Sequence, residues 1–204
     1  MTDLTTFYLV RHGETEWNVK GLIQGTADSP LTPEGISQVK NLAKKFNDID
    51  FDLVFSSDLL RAKRTAQIIA EEKELETSTT KLLRERDFGP LEGKSNVLFK
   101  EWDEALQKLT EDERYSYRHL DSVESDKEVI DRFMIFIKEL AVRYPNKNIL
   151  AVTHGGIIRT ILKRLGNLEK IPKHGAVGNG AYIKLLTNGS EIFIEEIVGV
   201  KLDD

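Results

Sequence analysis

The sequence predicts an α/β fold: a three-layer sandwich in which helices cover both faces of a mostly parallel central sheet that ends in an antiparallel edge. Three observations lead to this fold class. Short, nearly continuous apolar runs at 6–10, 53–55 and 149–152 are typical of strands buried on both faces. Segments with helical spacing of apolar residues separate these runs. Two further strand-like runs close the sequence and predict the antiparallel edge.

The predicted helices alternate with the strands along the chain. A threonine followed by proline opens a helix over 32–47, because the hydroxyl can cap the first N–H groups and proline fits the first helical turn. Apolar residues at helical spacing predict a second helix over 59–72, and the charged run EEKELE after it predicts a solvated loop. A third helix, with apolar positions at 129–140, ends before Pro145 because proline cannot continue it.

The C-terminal part and one insert depart from this alternation. The runs AYIKLLT and EIFIEEI flank Asn188 and Gly189, a dipeptide typical of hairpin turns. The segment from about 96 to 122 begins with a helical pattern and continues with polar residues, so we expect a helical, lid-like insert. We interpret residues 1–204 as a single domain that carries this insert.

Composition limits the classes of function. The net charge of -5 argues against nucleic acid or an anionic membrane as the main partner. The chain has no cysteine, so disulfides and thiolate metal sites are excluded, and a reducing compartment suits it. The N-terminal segment lacks the pattern of a signal peptide, and no apolar stretch has the length of a membrane span. We therefore expect a soluble, cytoplasmic protein.

Two histidines and two arginines follow the ends of the predicted parallel strands. His12 follows the first strand and His154 the third, and ligands of open α/β sheets bind beyond such strand ends. Gly155 opens a helix whose first N–H groups suit an anion. Arg11 and Arg61 offer the planar fork of donors that binds phosphate or carboxylate. The pattern predicts a site for an anion.

These residues lie within motifs whose order resembles the histidine phosphatase superfamily, in its branch similar to the cofactor-dependent phosphoglycerate mutases. The matching blocks are RHGETEWN at 11–18, QG at 24–25, LTPEG at 31–35, SSDLLRAKRTA at 56–66, LRERDFGPLEG at 83–93 and VTHGG at 152–156. A bare RHG recurs by chance, whereas these blocks in one order make a specific signal. The resemblance implies a phosphoglycerate mutase-like fold over nearly the whole chain.

The resemblance implies a role for each of the strand-end residues. His12 would accept the phosphoryl group and form a phosphohistidine, which agrees with the nucleophilicity of a neutral imidazole. Arg11, Arg61 and His154 would bind the phosphoryl oxygens, where charge lies during the transfer. Catalysis of this kind needs positive charge at the phosphate, which the two guanidinium groups supply.

Further site residues are also implied by the resemblance. Glu85 matches the family's proton donor, which would protonate the leaving alkoxide and later deprotonate water. Glu92 is the competing carboxylate, and the resemblance favours Glu85. Asn18, Gln24 and Gly25 match loop positions that contact the phosphate or the substrate. Ordinary turn chemistry is the alternative for these three residues, because asparagine and glycine favour loops in any case.

Two other interpretations of the site stay open. The arginines could pair with carboxylates such as Asp58 or Glu34 instead of binding a ligand. Two histidines and a glutamate could also form a facial triad for iron. A dication beside two arginines would be repelled by about 4 kcal/mol from each at 4 Å and an effective dielectric constant near 20. We therefore expect neither a metal ion nor another cofactor.

Basic and aromatic side chains near the insert suggest where the rest of a substrate would lie. Six basic residues could hold a second acidic group, but they alternate with acidic residues as on a solvated helix face, which is the favoured interpretation. They are Lys94, Lys100, Lys108, Arg114, Arg118 and His119. We expect Trp17 in the core and Trp102 either in the core or in a pocket wall.

The main division within the family is whether the phosphohistidine passes its phosphoryl group to water or back to a sugar acid. The mutases have a longer insert and need a bisphosphate for priming, and this chain is shorter there. Their ERHYG block appears here as ERDFG over 85–89, and the LEG that follows resembles the phosphatases, although Leu91 replaces a tryptophan frequent among them. These differences favour hydrolysis.

The predicted function is therefore hydrolysis of a small phosphorylated metabolite, such as a sugar phosphate, without a metal ion. A phosphoglycerate mutase is the second hypothesis. A non-catalytic module that binds a phosphorylated ligand is the third hypothesis. It ranks last because none of the expected catalytic residues is missing. Family members occur in several assemblies, and a homodimer is among those open to this chain.

Overall fold

The computed structural model describes residues 4–166 and 176–201, and its strands form one six-stranded sheet. The strands are β1 (Thr5–Arg11), β2 (Leu53–Ser57), β3 (Thr77–Thr80), β4 (Asn148–Thr153), β5 (Val177–Thr187) and β6 (Ile192–Val200). Their order in the sheet is β3-β2-β4-β1-β5-β6. The first four are parallel, whereas β5 pairs antiparallel with β1 and β6 with β5. The predicted mostly parallel sheet with an antiparallel edge is confirmed.

Except for α1, which was not predicted, the helices lie close to where the sequence predicts them. They are α1 (Glu16–Val19), α2 (Pro33–Lys45), α3 (Leu60–Glu71), α4 (Phe99–Gln107), α5 (Glu111–Ser116), α6 (Asp126–Arg143) and α7 (Gly155–Leu165). The Thr32 hydroxyl caps α2 by accepting the Gly35 N–H at 2.9 Å, and Pro33 is its first residue. At α6, Ser125 and Glu128 form a reciprocal capping box.

Helices cover both faces of the sheet, which confirms the three-layer architecture. On one face Phe7 and Leu9 of β1 pack with α6 and α7, and on the other Tyr8 and Val10 pack with α2 and α3. Alternate residues of one strand point to opposite faces, so a central strand buried on both must be apolar throughout. Each large apolar side chain buried this way contributes about 1.5–3 kcal/mol to folding.

The sequence misses one strand and misplaces one tryptophan. The chain forms β3 at Thr77–Thr80, just after the charged run that predicted a loop. The strand is polar because it lies at the sheet edge, where backbone hydrogen bonds to β2 hold it and its side chains face solvent. Trp17 is half-buried against Gly93 and lies outside both core clusters, so the core prediction for it is wrong.

The insert is helical, as predicted, and follows the loop that carries Glu85. Helices α4 and α5 occupy most of it, and Trp102 of α4 is buried with 7% of its surface exposed. The C-terminal hairpin turns at Asn188 and Gly189, and Gly189 has the positive φ of 89° that favours glycine. Within residues 4–166 and 176–201, no helix has both the length and the apolar character needed to cross a membrane.

Candidate active site

Three elements meet at the carboxyl edge of the parallel strands. His12 follows β1, His154 is the residue before α7, and Arg61 lies in the first turn of α3 directly after β2. Strands β1 and β4 are neighbours, so the two imidazole rings lie with their centroids 5.2 Å apart. The structure thus brings together the side chains that the sequence placed at separate strand ends.

His12 presents a neutral imidazole with one nitrogen facing the arginines. Its Nδ1 lies 2.7 Å from the Gly13 carbonyl oxygen, which can only accept, so Nδ1 carries the proton and Nε2 carries the lone pair. The Arg61 Nε–H points at Nε2 at 3.3 Å. Burial, followed by the charges of Arg61 and Arg11, holds the pKa of His12 well below its ordinary value. The ring is therefore neutral at neutral pH, and its Nε2 can act as a nucleophile.

Arg61 is a buried cation fixed by backbone carbonyls. It is 1% exposed, and its two terminal nitrogens donate to the oxygens of Ala27 at 2.7 Å and Gly25 at 2.6 Å. Burial lowers the pKa of Arg61 to about 10, which still leaves the group charged at neutral pH. Asp28 is 4.0 Å away and half exposed, so this ion pair compensates the charge only weakly.

Arg11 and His154 carry buried polar atoms without partners among the described residues. Arg11 donates through Nη1 to the Val177 oxygen, but its Nε has no acceptor. Both ring nitrogens of His154 also lack a partner, and burial with the Arg61 charge holds its pKa well below the ordinary value. Leaving such groups unsatisfied costs about 1–3 kcal/mol each. A phosphate oxygen bound between them would offer the missing acceptor.

Glu85 lines the same cavity, close to the start of α7. Its two carboxylate oxygens accept the N–H groups of Gly156 at 2.9 Å and Arg86 at 2.8 Å. A Cβ atom at position 156 would come within 2.5 Å of the Glu85 carboxylate, so a larger residue there would displace Glu85 from this position. The carboxylate is close enough to Arg11 and Arg61 to act on the pKa of both.

Glu92, the competing carboxylate, has a different place. It accepts the N–H groups of Thr26 at 2.8 Å, Ala27 at 3.0 Å and Phe88 at 3.2 Å. It thereby holds the 24–27 loop whose carbonyl oxygens bind Arg61. Glu92 is not among the residues that line the cavity. The geometry makes it a residue that positions the loop.

The predicted binding loops also reach the cavity. Asn18, Gln24, Gly25 and Gly155 line it, and the Gln24 Oε1 is buried without a described partner. Gly25 has a φ of 55°, and a Cβ there would come within 2.1 Å of the Glu92 carboxylate. The turn geometry therefore explains why position 25 is glycine. Because all four residues line the cavity, a ligand bound there can contact them.

Sequence reasoning missed two residues that hold the backbone at His12 and Gly13. Asn179 of β5 donates through Nδ2 to the His12 oxygen at 3.1 Å and to the Asn18 Oδ1 at 3.3 Å. Thr65, one turn after Arg61, accepts the Gly13 N–H at 3.1 Å and donates to the Arg61 oxygen at 2.8 Å. The only sequence signal for Asn179 is its position between two glycines at the start of a strand.

The interpretation that the arginines pair with Asp58 or Glu34 is wrong. Asp58 accepts a bidentate pair from Arg84, with distances of 2.7 and 2.6 Å. The guanidinium groups of Arg11 and Arg61 instead line the cavity. In the part of the chain that the structure describes, no group of three histidine, aspartate or glutamate side chains is arranged to hold a metal ion.

The cavity continues from these residues to the insert and has a volume of about 290 Å³, the size of a small-molecule site. Apolar and aromatic side chains form its far wall. They are Leu22, Ile23, Phe88, Phe99, Trp102, Leu106 and Tyr117. Of the six basic residues noted in the sequence, Arg114 lines the cavity, His119 stacks on Trp102, and the other four are exposed. The solvated-face interpretation therefore holds for those four.

Comparison with known proteins agrees with this geometry. The chain is 35% identical to "Uncharacterized phosphatase PhoE" of Bacillus subtilis over 162 residues, 79% of this chain and 78% of that protein. It is 33% identical to a 2,3-bisphosphoglycerate-dependent phosphoglycerate mutase of Bradyrhizobium sp. over 179 residues, 82% of each chain. The crystal structure of a phosphoglycerate mutase from Bacillus anthracis matches with a TM-score of 0.79 at 28% identity, covering 98% of this chain and 94% of that one.

A family model for the histidine phosphatase superfamily (branch 1) matches residues 7–198. This match includes every residue of the site described above. It covers β1 through most of β6, so the resemblance is a property of the whole fold and not of one motif. The chain belongs to branch 1 of the histidine phosphatase superfamily and is a phosphatase enzyme of that family.

Proposed function

We propose that the protein is a metal-independent phosphomonoesterase that hydrolyses a small phosphorylated metabolite through a phosphohistidine on His12. One observation carries the proposal: the unprotonated Nε2 of His12 faces a cavity whose adjacent walls hold two buried guanidinium groups. A phosphate dianion is attracted to this site. The size of the cavity suits a small leaving group.

In the first step the phosphate binds with its oxygens on Arg11, Arg61 and His154. Nε2 of His12 attacks phosphorus, an N–P bond forms, and the bond between phosphorus and the leaving oxygen breaks. Glu85 gives that oxygen its proton, so the product leaves as an alcohol. The arginines stabilise the charge on the three equatorial oxygens during transfer.

In the second step a water molecule takes the place of the alcohol. The Glu85 carboxylate accepts a proton from this water, whose oxygen attacks phosphorus as the N–P bond breaks. Inorganic phosphate leaves, His12 is again neutral, and Glu85 is again protonated. The net reaction converts a phosphomonoester and water into an alcohol and phosphate, with no other reactant.

The similarity to a phosphoglycerate mutase makes mutase activity the second candidate. Hydrolysis is favoured because the ERDFG block lacks the histidine and tyrosine of the mutase block, and because a relative of similar identity is named a phosphatase. Incubation with 3-phosphoglycerate and a trace of the bisphosphate separates the two. Free phosphate supports hydrolysis, and rapid formation of 2-phosphoglycerate identifies a mutase.

The direct test is phosphate release from a panel of metabolite phosphomonoesters, with and without EDTA, combined with rapid acid-free quenching to trap the phosphoenzyme. We expect turnover that EDTA leaves unchanged and an acid-labile phosphoryl group located on His12. Strong inhibition by EDTA that added metal reverses would contradict the metal-independent mechanism. A phosphoryl group on any other residue would contradict the assignment of the nucleophile.

A further inference from the structure

Helix α7 carries basic side chains along the same face that begins at the phosphate site. Gly155, Arg159 and Lys163 are spaced four residues apart, and all three line the cavity. Residues at this spacing lie on one side of a helix, one turn above another. The intervening apolar residues Ile158 and Leu162 are buried in the core. The face toward the cavity is therefore basic, whereas the face with Ile158 and Leu162 is apolar and packs into the core.

The part of the cavity beyond Glu85 has an excess of positive charge. Four cationic side chains line it together with two carboxylates, those of Asp103 and Asp126. The cations are Arg86, Arg114, Arg159 and Lys163. Asp126 already binds two guanidinium groups, because it accepts from Arg86 and, at 3.3 Å, from Arg164. The two carboxylates cannot neutralise this region.

Lys163 stands out among these cations. No hydrogen bond or ion pair joins its ammonium group to another residue within 4–166 and 176–201, whereas Arg86 is fixed by Asp126 and Arg114 by the Leu106 carbonyl oxygen at 2.7 Å. Burial and the neighbouring charges of Arg159 and Arg164 lower the pKa of Lys163. A half-buried cation among other cations is stabilised by an anion.

We propose that the face of α7 formed by Arg159 and Lys163 binds a second acidic group of the substrate, so that the enzyme prefers elongated phosphomonoesters with an acid at the far end. This inference rests on the proposed function. The helix rises about 1.5 Å per residue, so the two residues lie about 6 and 12 Å along the axis from Gly155. Helical side chains lean toward the N-terminus, which brings the Lys163 ammonium back toward the phosphate.

The aromatic side chains of the cavity support the same class of substrate. Phe88, Phe99 and Trp102 contact one another with ring centroids 5.3 to 6.1 Å apart and give the middle of the cavity an apolar side. A ligand that fits would have a phosphate at one end, carbon atoms in the middle and an acid at the other end. The basic residues of the insert, apart from Arg114, do not take part.

The test compares two substrates that differ only at the far end: an ω-phosphooxyalkanoate and the corresponding ω-phosphooxyalkanamide. Their leaving alcohols are equally acidic, so the ratio of their kcat/KM values reports recognition of the acid. We expect the unmodified enzyme to prefer the acid by tenfold or more, with a preference that grows with chain length until the acid reaches Lys163. This comparison needs no variant to fold.

Variants assign the preference to α7. Because Arg159 remains, Lys163→Met should lower the ratio of acid to amide several-fold, and Lys163→Glu should lower it further. Lys63→Met, which removes an exposed lysine on α3, should keep the ratio of the unmodified enzyme. An unmodified enzyme that uses acid and amide equally, or a Lys163→Met enzyme that keeps the full preference, overturns the subsite.

The subsite and the proposed function fail in different ways. Equal turnover of acid and amide leaves the phosphatase mechanism intact and removes only the subsite. Absence of turnover for both substrates and for nitrophenyl phosphate overturns the proposed function itself.

Discussion

The two ends of the cavity are built in different ways. At the phosphate end, strand termini and helix starts place His12, Arg61 and His154, which are at most 3% exposed. At the other end, the insert supplies the aromatic residues Phe99 and Trp102, and helix α7 supplies the basic residues Arg159 and Lys163. The phosphate end therefore depends on the sheet, while the leaving-group end depends in part on an insert that can vary without disturbing the sheet. This difference suits one chemistry applied to many substrates.

The largest expected effect is at the phosphate end. His12→Ala removes the proposed nucleophile, so kcat should fall by at least about 10⁴-fold for every substrate. Phosphate release gives the rate, and vanadate or phosphate binding checks that the rest of the site remains. Activity within tenfold of the unmodified enzyme would show that another group is the nucleophile.

Glu85 lies between the two ends, and its replacement should show an effect that depends on the leaving group. Glu85→Gln should lower kcat by roughly 10²- to 10⁴-fold for alkyl phosphates, whose departure needs a proton. The loss should be much smaller for nitrophenyl phosphate, because nitrophenolate leaves unprotonated. Equal losses with both substrates would rule out the proton-donor role.

Replacement of Glu92 should lower kcat/KM by a factor that does not depend on the leaving group, because Glu92 acts through the loop that holds Arg61. Glu92→Gln weakens the hydrogen bonds to Thr26 and Ala27, a loss of about 1–3 kcal/mol, and should lower kcat/KM roughly 10- to 100-fold. The factor should be the same for alkyl and nitrophenyl substrates. Glu72→Gln, at an exposed glutamate after α3, is the matched control. A dependence on the leaving group would instead make Glu92 a proton donor.

The buried histidines should make stability depend on pH. The pKa values of His12 and His154 lie well below 6.5, because burial and nearby arginines disfavour the charged ring. Below about pH 6.5 the unfolded chain therefore binds more protons than the folded chain, and the free energy of unfolding falls by up to about 1.4 kcal/mol per pH unit for each histidine. Urea unfolding between pH 7 and 5 should show this loss.

His154→Gln should reduce that slope, whereas an unchanged slope would mean that the buried histidines are not its origin.

Asp126, at the other end of the cavity, should make stability depend on pH in a more acidic range. Burial alone would raise the pKa of Asp126, but Arg86 and Arg164 lower it overall. Its stabilising contribution is therefore lost only as the pH falls below about 3.8, the ordinary value for aspartate.

The smallest expected effect is at the leaving-group end. Trp102→Leu removes aromatic surface from the far wall and should change kcat/KM only a few-fold, more for bulky leaving groups than for small ones. The ratio of the two kcat/KM values measures this selectivity. A uniform loss across substrates would mean that the insert also supports the phosphate end.

Local patterns in the sequence account for much of the fold. Apolar runs identified β1, β2 and β4, and a threonine followed by proline marked the start of α2, because burial and capping act over a few residues. The strand β3 escaped detection, since its pairing with β2 depends on backbone hydrogen bonds that polar side chains do not reveal. Trp17 shows the converse error, because an aromatic residue in a short helix can be half-buried outside the core.

The sequence by itself determined the chemical groups of the site and the family, since histidine, arginine and glutamate within ordered motifs define the reaction they can perform. Only the tertiary structure decided which groups meet. The pairing of β1 with β4 joins residues more than a hundred positions apart, and Asn179 and Thr65 contact the backbone at His12 and Gly13 through pairings that no local spacing encodes. Distance along the chain does not determine distance in space, because long-range packing sets the latter.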